Sequence, residues 1–141
     1  MVEINDKKNV FNTLPWLSIE SVGKSASLAI VFQKNNRLQI ITEQIESREG
    51  VKDSLLPLIE KTAELSVGSI QRISKFVLIN GPGSFTGLRV VNSLIHGIAF
   101  GLNRHVASVS LFELFAFAWL ASDRREKPIK SEKVILNVVF L

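Results

Sequence analysis

The chain has 141 residues, a net charge of +4 and no cysteine, which bounds it to one domain by length and excludes a disulfide framework or a thiolate metal site. Hydrophobic residues at 46% against 21% charged exclude an intrinsically disordered chain and fit a globular one that buries roughly 70% of its surface on folding. The N-terminal MVEINDKKNV carries acids and no apolar run, and no stretch reaches the ~20 apolar residues of a membrane-spanning helix, so neither a signal peptide nor an anchor is expected and the expected location is cytoplasmic.

Residues 1–13 are polar and aperiodic and are expected to form a loose tail, with one domain over 14–141. Trp16–Ser21 and Ser25–Gln33, rich in β-formers and separated by Gly23 and Lys24, predict a hairpin. Asn35-Asn36 predicts a second turn into a strand over Leu38–Ile45, completing a three-stranded meander. A helix is predicted to start at Asp53 or Ser54, with Leu55, Leu56, Leu58, Ile59, Ala63 and Leu65 near helical spacing, Pro57 in the first turn and Gly68 as the stop. Lys75–Asn80 is a nearly continuous apolar run, the pattern of a strand buried on both faces. A loop at Gly81-Pro82-Gly83 leads to a helix over Ser84–Leu102, then a strand over Val106–Val109 and a helix over Leu111–Ala121 capped by Ser110. Lys133–Leu141 reads as a last buried strand.

The order β-β-β-α-β-α-β-α-β predicts an α/β domain with a mixed sheet, antiparallel strands first and right-handed crossovers making the later strands parallel. It is similar to the ribonuclease-H-like arrangement found in actin-like and Hsp70-like ATPase domains. Between the last two predicted elements, Arg124, Arg125, Lys127, Lys130 and Lys133 are diluted by Asp123, Glu126 and Glu132. That run suits either contact with nucleic acid phosphates or a solvated loop.

The distinctive segment is Asn80-Gly81-Pro82-Gly83-Ser84-Phe85-Thr86-Gly87-Leu88-Arg89. Two glycines around a proline make a tight exit from the strand, and Ser84 or Thr86 can cap the helix that follows. A helix N-terminus can receive an anion. No lysine follows Gly87, however, and the spacing fits neither a Walker A loop nor a dinucleotide fingerprint, so a connection that needs glycine for backbone shape stands beside the phosphate reading. On the helix, Leu88, Val91, Ile95, Ile98 and Leu102 form an apolar face for the sheet. A second stripe, Ser93, Gly97 and Gly101, has one small residue every four positions. Each glycine costs about 1 kcal/mol of helix propensity relative to alanine, a cost that close approach of another helix would offset. The neighbour can be the third helix of this chain or a second protein. His96 has no second metal-ligating side chain near it in sequence, and no cluster with ligand spacing appears, so neither a metal nor a cofactor is expected.

Gly81-Pro82-Gly83-Ser84-Phe85-Thr86-Gly87-Leu88-Arg89 resembles the GPGSFTGLR signature of the TsaB (YeaZ) family residue for residue, with supporting likeness at Leu55-Leu56-Pro57-Leu58-Ile59 and Ser108-Val109-Ser110-Leu111. The likeness covers about residues 14–140, the family's first domain. It implies a non-catalytic subunit of the machinery that places threonylcarbamoyl on tRNA adenosine, pairing with the catalytic TsaD subunit and homodimerising in isolation. It also implies an interface through Arg89, Ser93, Gly97 and Gly101, with tRNA met only indirectly. Glu20-Ser21 stands where the family usually has Asp-Thr at a nucleotide-facing turn, and Val51-Lys52 where it often has His-Ser. The second domain of the family is expected to be absent, which counts against ATP hydrolysis by this chain. A diverged homodimeric paralogue, or a protease or ATPase as older descriptions of the family and its fold class suggest, are the alternatives.

Overall fold

The computed structural model describes residues 13–23, 25–45 and 48–121. Of the sequence expectations, the tail over 1–12, the Arg124–Lys133 run and the Lys133–Leu141 strand lie outside the described residues. The elements in chain order are β1 (Trp16–Glu20), β2 (Ala26–Lys34), β3 (Arg37–Ile45), α1 (Arg48–Val67), a 3-10 turn at Ile70–Arg72, β4 (Lys75–Ile79), α2 (Phe85–Gly101), β5 (His105–Val109) and α3 (Leu111–Ala121).

The five strands form one sheet in the order β3-β2-β1-β4-β5. β1, β2 and β3 are antiparallel, whereas β4 runs parallel to both β1 and β5. This is the mixed sheet of the ribonuclease-H-like fold. The β2–β3 register closes on Lys34↔Arg37, leaving Asn35 and Asn36 as a two-residue loop with φ of 52° and 56°. Both central residues in the left-handed region make a type I′ turn, whose twist matches the strands it joins and which asparagine tolerates better than most residues.

Alternation along the strands divides the sheet into two faces. On the first, Leu17, Ile19, Leu28, Ile30, Phe32, Phe76 and Leu78 pack with Leu55, Ile59 and Ala63 of α1 and Val91, Ile95 and Ala99 of α2 in one core. The second face carries Ser18, Glu20, Ala29, Val31, Val77 and Ile79, all buried, and α3 lies toward it with Leu114 and Ala118 buried. β3 pairs with β2 alone among the described strands. No helix among the described residues is long and apolar enough to cross a membrane.

One element departs from the sequence expectation. α1 begins at Arg48, not at Asp53 or Ser54, so Pro57 sits in the helix interior and not in its first turn. Proline there removes one backbone bond within the helix. Its line of Leu55, Ile59 and Ala63 against the sheet supplies the compensating burial, while Leu56 and Leu65 face outward. The helix stops at Gly68, which has φ of +88° and donates its N–H to the Glu64 carbonyl at 3.1 Å. α2 ends on Asn103 at φ 53°, with Arg104 N–H donating to Ala99 and Asn103 N–H to Phe100, a Schellman closure.

α3 opens with a reciprocal cap. Ser110 N–H donates to a Glu113 carboxylate oxygen at 2.8 Å, and Glu113 N–H donates to Ser110 Oγ at 3.1 Å. The hydrogen bonds from the Ser110 backbone and side chain hold the Glu113 carboxyl below its ordinary value. A carboxyl lowered in the folded state contributes its stability above the unfolded pKa and loses it as pH falls through the folded one. Acidification through the carboxylate range should therefore fray the first turn of α3, seen as faster exchange of its amides, and Glu113→Gln should flatten that dependence.

Candidate functional site

β1 and β4 are neighbours in parallel register, Ile19 beside Leu78, so the segments leaving their C-terminal ends emerge side by side. The segment after β1 is the Ser21–Val22 turn, and the segment after β4 is the glycine-proline loop. They meet backbone to backbone. Ser84 N–H donates to the Val22 carbonyl at 2.8 Å. A Cβ placed on Gly83 would stand 2.6 Å from that carbonyl oxygen and 2.7 Å from Val22 Cα, and one on Gly87 would stand 2.6 Å from Ser21 Oγ. No side chain fits at either position without moving the turn.

Gly81 serves differently. Its φ of +100° lies in the left-handed region, and its carbonyl accepts the Leu111 N–H at 2.7 Å, tying the loop to the start of α3. Pro82 is exposed. Ser84, not Thr86, caps α2: its Oγ accepts from Gly87 N–H and its carbonyl from Leu88 N–H. Thr86 is exposed. Phe85 is 72% exposed, with the Arg89 guanidinium 5.1 Å from the centre of its ring.

Glu20 and Ser21 are both buried. One Glu20 oxygen accepts the Val22 N–H at 2.8 Å and the other the Ser27 hydroxyl at 2.7 Å. The carboxylate is thus committed to the turn, and the turn in turn abuts the first turn of α2. The glycines of the signature fit this contact, which takes up space beside the helix N-terminus. The predicted hairpin places β1 beside β2, and the observed register sets Glu20 opposite Ser27.

Ser93, Gly97 and Gly101 all lie on the exposed side of α2, away from buried Val91, Ile95 and Ala99. A Cβ on Gly97 or Gly101 would meet nothing within 4 Å, so no described part of this chain occupies the stripe. Phe100 beside it is 90% exposed. His96 Nδ1 lies 2.9 Å from the Asn92 carbonyl of the same helix, and no group of three or more metal-ligating side chains occurs among the described residues.

Sequence reasoning missed a cavity of about 490 Å³ on the second face, where Ser18, Glu20, Ser27, Thr42 and Ile79 lie beside Leu111 and Phe115. Its floor comes from residues of four strands, β1 to β4, and its wall from the start of α3, a combination that only the sheet order assembles.

A family model described as TsaD, tRNA N6-adenosine threonylcarbamoyltransferase, matches residues 38–131, about two thirds of the chain. The tRNA threonylcarbamoyladenosine biosynthesis protein TsaB of Buchnera aphidicola subsp. Baizongia pistaciae is 33% identical over 87 residues, covering 61% of this chain and 38% of that protein. The protein of the same description from Haemophilus influenzae is 22% identical over 128 residues, covering 90% of this chain and 52% of its own length. The chain therefore spans about half or less of the curated relatives it matches. The solved structure of YeaZ from Pseudomonas aeruginosa superposes with a TM-score of 0.61 at 24% identity, covering 76% of this chain and 49% of that one, which shows a shared fold.

The two kinds of glycine should separate experimentally. Gly83→Ala forces a methyl into the Val22 backbone and should lower unfolding free energy by about 1–3 kcal/mol. Gly97→Ala, with open space around it, should raise it by about 1 kcal/mol through helix propensity. Urea unfolding of the two variants beside the parent checks both signs.

Proposed function

The chain belongs to the family of the tRNA N6-adenosine threonylcarbamoyltransferase model, alongside relatives named TsaB (YeaZ), and from that premise we propose that it is a non-catalytic subunit of the threonylcarbamoyladenosine machinery. In this reading α2 is the contact helix. It pairs with the catalytic TsaD-type subunit, or with a second copy of the chain when that subunit is absent, and tRNA is met through the partner. The observation that carries the reading is the exposed stripe of Ser93, Gly97 and Gly101, with nothing among the described residues within 4 Å of a Cβ placed on either glycine. Small side chains let a second helix come close to the backbone, and exposed Phe85, Arg89 and Phe100 supply the aromatic and arginine contacts in which interface energy concentrates.

Glu20 favours a binding subunit over an ATPase. In the actin-like arrangement the turn after the first strand would face nucleotide, but both Glu20 oxygens already accept hydrogen bonds from this chain, and Ser21 is packed against Gly87.

Gly97→Leu fills the stripe without touching the core. It should weaken co-purification with the TsaD-type subunit at least tenfold, as two backbones can no longer approach, while thermal unfolding of the isolated chain changes little. Retained association would place the interface elsewhere. Under the same reading the isolated chain turns over no ATP, and sustained hydrolysis in a purified sample would favour the ATPase alternative.

A further inference from the structure

We propose that Glu20 is the positioning residue for α2, acting through the Ser21–Val22 turn. The chain of contacts is short. The Glu20 side chain, 6% exposed, accepts from Val22 N–H and from Ser27 Oγ, which fixes the turn against β2. The same Val22 then accepts Ser84 N–H through its carbonyl, so one residue is held on one side by Glu20 and holds the cap of α2 on the other. Gly83 against Val22 and Gly87 against Ser21 leave no slack, since even a methyl group would overlap the turn. A shift of the turn is therefore transmitted to the first turn of α2, and with it to Phe85 and Arg89. The carboxylate accordingly orients a helix. Carboxylate and amide suit the place equally. In a glutamine the amide oxygen can accept Val22 N–H and the amide nitrogen can donate to Ser27 Oγ.

The positioning role is independent of which protein meets α2; only its consequence for affinity rests on the function proposed above. Residue-resolved amide hydrogen exchange on the folded chain tests it, comparing the parent with Glu20→Ala, Glu20→Gln and Ser27→Ala. Glu20→Ala should speed exchange at the Ser84 and Leu88 amides about tenfold or more, because the buried acceptor that tethers Val22 N–H and the Ser27 hydroxyl is lost. Exchange along Phe76–Leu78 should stay unchanged, and Glu20→Gln should stay within about twofold of the parent throughout. Unchanged protection at Ser84 in Glu20→Ala, or loss spread evenly over β4 and α1, would overturn the proposal. Should Glu20→Ala not fold, Ser27→Ala removes one tether only, and the same local acceleration, or its absence, decides. In parallel, affinity for the TsaD-type subunit should fall with Glu20→Ala and recover with Glu20→Gln. A parent chain that does not bind that subunit would refute the proposed function while leaving the exchange result to judge Glu20.

Discussion

Two stretches of backbone, some sixty residues apart in sequence, touch where no side chain can intervene, and much of the fold's functional geometry depends on that contact. The parallel pairing of β1 with β4 brings the exits of both strands to one edge of the sheet. There the Val22 carbonyl receives Ser84 N–H, and Gly83 and Gly87 lie flat against the turn. A glycine-rich stretch between strand and helix is commonly read as a cradle for phosphate. Here its shape answers to the chain's own turn, with the Val22 carbonyl accepting Ser84 N–H and Ser84 Oγ accepting Gly87 N–H at the start of the helix.

The two faces of the sheet carry different burdens. α1 and α2 cover the first with a continuous aliphatic core. On the second side lies α3, which buries Leu114 and Ala118 but leaves Phe112, Phe115, Phe117 and Trp119 at 70%, 36%, 58% and 59% exposure. Beside this aromatic concentration lies the cavity floored by Ser18, Ser27 and Thr42. α2 has the reverse character, sealed on its inner side and backbone-thin on its outer side. The molecule thus presents two chemically distinct surfaces, one flat and small-residued, one aromatic and recessed.

Much of the architecture was legible in the sequence because local and global preferences agree. β-branched runs, the Asn35-Asn36 turn, the Ser110 cap and the apolar stripe of Val91 and Ile95 each point to the element that forms. The start of α1 was not legible, because Pro57 reads as a first-turn residue and only the burial of Leu55, Ile59 and Ala63 compensates for it in the interior. Of the candidate site, helical spacing puts Ser93, Gly97 and Gly101 on one stripe, but that the chain's own third helix does not cover Gly97 and Gly101 is shown by the open space around them. What Gly83 and Gly87 are for does not: it requires knowing that β1 and β4 are adjacent, a long-range fact that periodicity cannot carry. The same limit hid the cavity, whose lining is scattered from Ser18 to Phe115.

The left-handed Asn35-Asn36 link has a consequence for the sheet's outer border. β3 ends the sheet with nine residues whose outward N–H and C=O groups meet no described strand, and Leu38 and Ile40 lie 42% and 41% exposed along it. Such a rim is a template on which a stray extended peptide could stack. Because the tight link fixes Lys34 opposite Arg37, sliding β3 by a single position would turn Ile41 and Ile45 out into water, so the rim is held in one alignment and offers an incoming strand two cationic side chains at its tip.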